Sequence, residues 1–475
     1  MILIIVDPKI NNPPVRYSIT MLFKDFLGIP IEIIDGKDYH NDSQPDIKIF
    51  YGFTPNKDKK FDMIIYSSKF WIENYLKKES LPSLPLKYYE QECKDAQRQK
   101  KKKMPIIYVG GSKKEEPFIE IDEGCILTNI DFFASSFFML TRYEEMINDY
   151  QDEHGRFPGK QSLAFQEGFL ERPIVNEYLE LLWSLLLKIS PKLTRKERQF
   201  ELFLTHDIDN LKLGTIKKRI RSLGSQLIRK KSIKGFLGEL WRNITWLFTF
   251  RKNGIKYILY TSNKYGFQST FFFLLNGTSR FDNRYDPYSK KVKKIIKKIL
   301  SEGHKVGLHS SYSSYLNFEQ LTKEQKILTE LTQEDKFGVR NHYLRIKVPE
   351  SLRLFDQAGL AYDSSLGYSK CFGFRAGVCY PFRVFDVLEN KTLNIIEYPL
   401  MIMDKTIVNN YPELNTPKKV LKEIKKQIDV ISSYHGTFVF LIHNHSLEEF
   451  QYPWRRIYKK MLSYCKLKRD EKSRE

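Results

Sequence analysis

The sequence predicts an α/β protein whose C-terminal half is a parallel sheet wound toward a barrel, preceded by a smaller α/β domain. Three observations carry this. From Phe200 onward, short apolar runs (FELFLTHD, STFFFLL, HKVGLHS, GVRNHYLR, NIIEYPL, FVFLIHN) alternate with helix-length amphipathic stretches, the pattern of βα units. Polar residues gather at the carboxyl ends of these runs, where barrel active sites assemble. Before about residue 110, separate strand-length runs rich in Ile and Tyr (ILIIVD, IPIEIID, IKIFYG, DMIIYSS, MPIIYVGG) mark a second unit. The expected division is 1–195 and 196–475.

The 475 residues, 41% of them hydrophobic, exceed one ordinary domain and suffice for two cores. Between the sheets, Asp131 to Ile147 reads as one helix and Val175 to Ser190 as another, joined by a turn-rich packed loop, DEHGRFPGKQSLAF. Lys100 to Lys103 reads as a solvated loop. The five cysteines are odd in number, scattered and never spaced C-x-x-C, which points to neither disulfides nor a zinc knuckle and fits a reducing compartment. MILIIVDPKI lacks a basic leader region and reads as a first strand, so the expected location is cytoplasmic.

The formal net charge is +21, and more than half is concentrated. Thirteen Lys and Arg stand against the single acid Glu239 between Lys212 and Lys256, a local +12, inside a long crossover at about 211–260. From Phe236 the apolar set Phe236, Leu237, Leu240, Trp241, Ile244, Leu247 and Phe248 keeps helical spacing. Such a segment is either a barrel helix with solvated cations or a peripheral contact with an anionic membrane through 212–256. Nucleic acid is not an expected partner, because no recognition motif accompanies the charge.

Seven of the nine histidines lie between His206 and His445, and His206, His309, His342 and His443 each end or sit within an apolar run. In Thr205-His206-Asp207-Ile208-Asp209 strand alternation puts Asp207 and Asp209 on one side, ~7 Å apart along the chain. One carboxylate can hold a divalent metal while the other takes a proton from water. Either acid suits either role. His309 and His342, from different strands, complete a carboxylate and two-histidine donor set suited to zinc or another first-row ion. His443 is placed to protonate a leaving amine, with His445 two residues on as a competitor, and Asp404 ends the preceding run.

The order T-H-D-x-D, G-x-H-S, R-x-x-x-P, D-S-S and an apolar strand ending in His resembles the polysaccharide deacetylase family of NodB-homology carbohydrate esterases. More narrowly it resembles a bacterial subgroup with H-D-[IV]-D and a preceding domain of unknown function, to which FFASSFFMLTRYEE, RFPGKQSLAF and ERPIVNEY are similar. The resemblance implies a distorted (β/α) barrel that hydrolyses the N-acyl group of a sugar with metal-activated water. It implies Asp207 as base, Asp209 as metal ligand with Ile208 at the family's usual acid position, His309 as ligand, Arg345 orienting the base, and His443 as acid. The family's second metal histidine falls on Ser313, and His342 is the candidate replacement. Asp363, Tyr368 and Arg375 resemble pocket-wall residues that would hold an N-acylated glycan. The rival expectations are a catalytically silent glycan-binding scaffold and an amidohydrolase of a non-sugar amide.

Overall fold

The computed structural model describes residues 1–39, 45–56, 59–91, 102–111, 114–211, 254–282, 285–448 and 453–471. Strand β1 (Ile2–Val6) is buried along its whole length, as expected of an interior parallel strand with both faces covered. Parallel to one another run β2 (Ile31–Asp35), β1, β3 (Ile47–Gly52), β4 (Met63–Tyr66) and, past a hairpin of β5 (Lys87–Gln91) and β6 (Lys102–Ile106), β8 (Cys125–Thr128). An antiparallel edge strand, β7 (Ile119–Asp122), completes the six-stranded order β2-β1-β3-β4-β8-β7. The loop expected over Lys100 to Lys103 is corrected for its last two residues, which open β6. Lys103 stays exposed there and pairs with Glu90 at 3.3 Å, a charge on a small two-stranded edge.

The helix expected from Asp131 to Ile147 is two helices, Phe132–Leu140 and Tyr143–Ile147. Arg142 breaks it with a left-handed backbone at φ 55°. Its buried guanidinium donates to Glu144 at 2.6 Å and Glu145 at 2.9 Å, contacts that a continuous helix would not offer in the same way. The second expected helix is found at Ile174–Ile189.

The C-terminal half is a nine-stranded sheet. Its strands are β9 (Glu201–Ile208), β10 (Ser269–Leu274), β11 (Lys305–Ser310), β12 (Gly338–Asn341), β13 (Tyr362–Asp363), β14 (Phe382–Asp386), β15 (Lys391–Glu397), β16 (Ile402–Met403) and β17 (Thr437–Leu441). The order is β14-β15-β13-β12-β11-β10-β9-β17-β16, parallel throughout except for β14. The end strands β14 and β16 do not pair, so the barrel is curled and open. Its inner face holds its own apolar cluster, Leu344, Leu400, Val439 and Leu441 with Phe203 against them. Helices such as Lys290–Ser301, whose Val292, Ile296 and Ile299 are buried, pack on the outer face. One continuous apolar core runs from Ile2 to Cys465 and takes in both sheets. No described helix is long and apolar enough to cross a membrane. The basic crossover at 212–253, with the amphipathic stretch from Phe236, lies outside the described residues.

Glu324, on the helix Phe318–Thr332, supports the turn after β11. It is buried, and its carboxylate accepts the Ser311 N–H at 3.0 Å and the Gln320 amide at 2.7 Å. Burial lifts its carboxyl to about 7, against an ordinary value of 4.5. Because the folded-state value is the higher one, this group stabilises the fold below about 4.5 and the contribution is lost as pH rises toward 7. Glu324→Gln is expected to remove up to about 3 kcal/mol of that pH dependence. Urea unfolding of both proteins at pH 4.5, 6 and 7.5 checks it, and parallel stability profiles would refute it.

Candidate metal centre

Strand parity builds the site. Along β9, Phe203, Thr205 and Asp207 face the barrel interior, and Asp209 continues the series just beyond the strand. His206 points the other way. Its ring donates from Nδ1 to the Ile442 carbonyl at 3.0 Å and meets Ser269 at 3.2 Å, and burial lowers it to about 3. It is a core histidine, which removes it from the strand-end group.

Parallel pairing sets Leu274 beside His309 and His309 beside Arg340, bringing β11 and β12 into line with β9. His309 Nε2 lies 3.2 Å from Asp209 Oδ1 and 3.6 Å from Asp207 Oδ2. His342 follows β12 by one residue, in a tight turn, with Nε2 3.9 Å from Asp209 Oδ1. From the far side His443 Nε2 comes within 3.7 Å of Asp209 Oδ2. Among the described residues, Asp209, His309 and His342 form a group whose donor atoms lie within 4.8 Å of one another. They open onto a cleft of about 430 Å3 also lined by Asp207, His443 and His445. A second cleft of about 400 Å3, around Ser68, Phe70 and Tyr108, lies away from this group.

The tautomers follow from the partners. His309 Nδ1 donates to the Arg340 carbonyl at 2.7 Å, His342 Nδ1 to Asp282 at 2.8 Å and His443 Nδ1 to Asp404 at 2.7 Å. Carbonyl and carboxylate oxygens only accept, so in each neutral ring the Nε2 lone pair faces Asp209. Asp209 Oδ1 is buried and receives no hydrogen bond. Lone pairs gathered on a buried carboxylate oxygen call for a cation between them, and one carboxylate with two oriented imidazoles is the donor chemistry of a first-row divalent ion. The residues therefore fit the metal.

Burial pulls His309 down, and Asp207 and Asp209 more than reverse this, raising it above its ordinary value. Burial alone would raise the Asp209 carboxyl, but the His309 contact and the charges of His443, His309 and His342 hold it far below the usual carboxylate range. Burial pulls His443 down, and Asp404 more than reverses this, lifting it to about 9. His445 is lowered by burial and by His443, which makes it the poorer proton donor of the two.

Residues 3–191 match the model of a family of unknown function (DUF7033). No curated protein matches the chain. Among solved structures, the chain is similar to the Puue allantoinase at 14% identity, covering 57% of this chain and 85% of that one, with a TM-score of 0.37. A probable polysaccharide deacetylase from Pseudomonas aeruginosa PAO1 gives 14% identity, 56% and 84% coverage and a TM-score of 0.36. A CE4 family pseudoenzyme from Bacillus anthracis gives 11%, 57% and 62%, and 0.29. At such TM-scores the architecture rests on the chain's own strand order and register.

Four sequence expectations are corrected. Arg345 does not reach Asp207: its guanidinium donates to the carbonyls of His154 and Tyr312 and to the Tyr315 hydroxyl. Arg340, which the sequence reading passed over, donates to Asp207 Oδ1 at 3.2 Å and to Thr205 at 2.7 Å while lying over the Phe272 ring. Tyr368 and Arg375 are buried behind the cleft, where Arg142 donates to the Tyr368 hydroxyl and Arg375 grips Glu145 at 2.6 and 2.9 Å. Asp363 is buried as well, accepting from Ser365 at 2.6 Å beside Glu397, whose carboxyl burial and the Asp363 charge raise well above the usual range. The cleft wall instead includes His154, Arg156, Tyr343 and Lys405, none of them singled out by motif.

Asp282 also went unread, because nothing in FDNRYDP marks it. Its carboxylate fixes the His342 ring and accepts the Tyr312 and Ser279 N–H groups. Asp282→Asn is expected to weaken zinc affinity about 10- to 100-fold. Calorimetric titration of the metal-stripped protein measures this, and equal affinities would show that Asp282 does not orient His342.

Proposed function

We propose that the chain is a metal-dependent amidohydrolase that removes an N-acyl group, an acetyl in the simplest case, from a sugar of a glycan or its precursor. The observation that carries the reading is the convergence of Nε2 from His309, His342 and His443 on Asp209, with Asp207 beside them in one cleft. Asp209, His309 and His342 would hold the ion, zinc being the natural choice for this donor set. When bound, it supplies Lewis-acid activation of water and polarisation of the acyl carbonyl.

The chain's own residues divide the proton work. Asp207 has Oδ1 fixed by Arg340, and its Oδ2 lies toward His309, so it can accept the proton released by the attacking water. Arg340 holds that carboxylate in orientation. His443, protonated through its contact with Asp404, presents Nε2–H to the departing nitrogen. Two groups on opposite sides of Asp209 thus serve as base and acid, and no nucleophilic side chain is required. That the acyl group is borne by a sugar is read from the motif resemblance, because cleft shape alone does not distinguish one amide from another.

The test is acetate release from N-acetylated oligosaccharides by the zinc-loaded protein, alongside Asp207→Asn and His443→Ala. Each substitution is expected to lower kcat by about 10²- to 10⁴-fold. Bound zinc should stay near that of the wild type. A wild type that binds zinc yet releases no more acetate than His443→Ala would leave the scaffold reading in its place.

A further inference from the structure

We infer that the turn at residues 152–156, carried by the N-terminal half, is a positioning element of the metal centre. In it Arg156 locks the strained turn that presents His342. The inference rests on the reading of Asp209, His309 and His342 as metal ligands.

Tyr343 and Leu344 have φ of 64° and 52°, a left-handed backbone that L side chains rarely adopt. Consecutive residues in that region do not hold themselves, and they persist where neighbours over-determine them. Phe281 and Tyr312 pack on the Tyr343 ring, and the turn's backbone is held from outside the barrel. Arg156 donates to the Tyr343 carbonyl at 2.7 Å. It is itself aimed by Asp152, which accepts from its Nε at 2.9 Å and its Nη2 at 2.7 Å. Asp152 also accepts the His154 and Arg156 N–H groups, so the turn 152–156 is closed on its own carboxylate.

A second tie runs the other way. Arg345, just past the strained pair, donates to the His154 carbonyl at 2.7 Å, with the Tyr315 ring stacked 3.8 Å from its guanidinium. The His154 ring packs against Tyr343 at 4.6 Å between centroids. The left-handed turn is therefore gripped at its first carbonyl and directly after its second residue by the same five-residue segment. His342 stands immediately before it, with Nε2 3.9 Å from Asp209 Oδ1. The route from the N-terminal half to the metal is Asp152, Arg156, the Tyr343 carbonyl and His342.

The full-length, metal-stripped protein is titrated with zinc alone and with cobalt(II) alone, following affinity and the visible cobalt spectrum. Arg156→Ala is expected to bind about tenfold more weakly or worse with an altered cobalt spectrum, and Arg156→Lys, which keeps one donor, to recover part of the loss. Glycine adopts positive φ freely. Tyr343→Gly should therefore lessen the need for the lock, and Arg156→Ala should cost much less in that background. If the wild type binds no metal, the ligand reading itself fails and the inference falls with it. If the wild type binds and both Arg156 variants bind equally well, the inference alone is overturned. An Arg156→Ala loss that is undiminished in the Tyr343→Gly background marks a role in folding rather than positioning, and also overturns it.

Discussion

The site depends on one constraint: Nδ1 of three histidines is committed to an acceptor, so every Nε2 is turned toward Asp209. The Arg340 carbonyl, Asp282 and Asp404 supply those acceptors from three different segments. Without them each ring could flip or change tautomer, and the lone pairs would not meet. With them, the buried Asp209 Oδ1 faces Nε2 of His309 and His342, which in the neutral rings are lone pairs with no proton to give. Water cannot satisfy such a point as well as a cation does, because a water that donates to one acceptor leaves the others competing for its second hydrogen.

The sheet delivers these parts through parity. Thr205, Asp207 and Asp209 share a side because successive strand residues alternate, and the parallel register then stacks Leu274, His309 and Arg340 across from them. Arg340 joins the two layers: its backbone carbonyl fixes His309, and its side chain fixes Asp207. Glycine serves the same packing at β12, where a Cβ on Gly338 would fall 2.0 Å from the Tyr362 ring inside the barrel.

Asp207, Asp209, His309 and His443 were legible in the sequence because period-2 alternation and strand ends are local properties. His342 was legible as a histidine near a strand end, though its place in a left-handed turn one residue past β12 was not. The exchange of Arg345 for Arg340 shows the limit. Both arginines lie in one short segment, RNHYLR, and only the point where the strand stops decides which faces the barrel and which is turned away. Arg142 is a similar case: its side chain binds Glu144 and Glu145 and breaks a segment whose apolar spacing reads as continuous helix. Tyr368 and Arg375 were expected in the pocket wall because their segments resemble the family's pocket loops. Their partners, Arg142 and Glu145, lie more than two hundred residues away and leave no local trace.

That buried network ties the two halves together. Arg142, Glu145 and Arg375 are all removed from water, so each charge carries a desolvation cost that its partners offset. An apolar interface of the same shape could be at least as stable. What paired buried charges add is register: sliding one half against the other would leave an unpaired guanidinium or carboxylate in the interior. The turn at 152–156 begins a few residues beyond Glu145 and lines the cleft, where sub-ångström placement matters for a metal ligand. A loop that reaches across from another unit can do that only if the two units have a single docked arrangement, and the Glu145 to Arg375 pair supplies a reason for one.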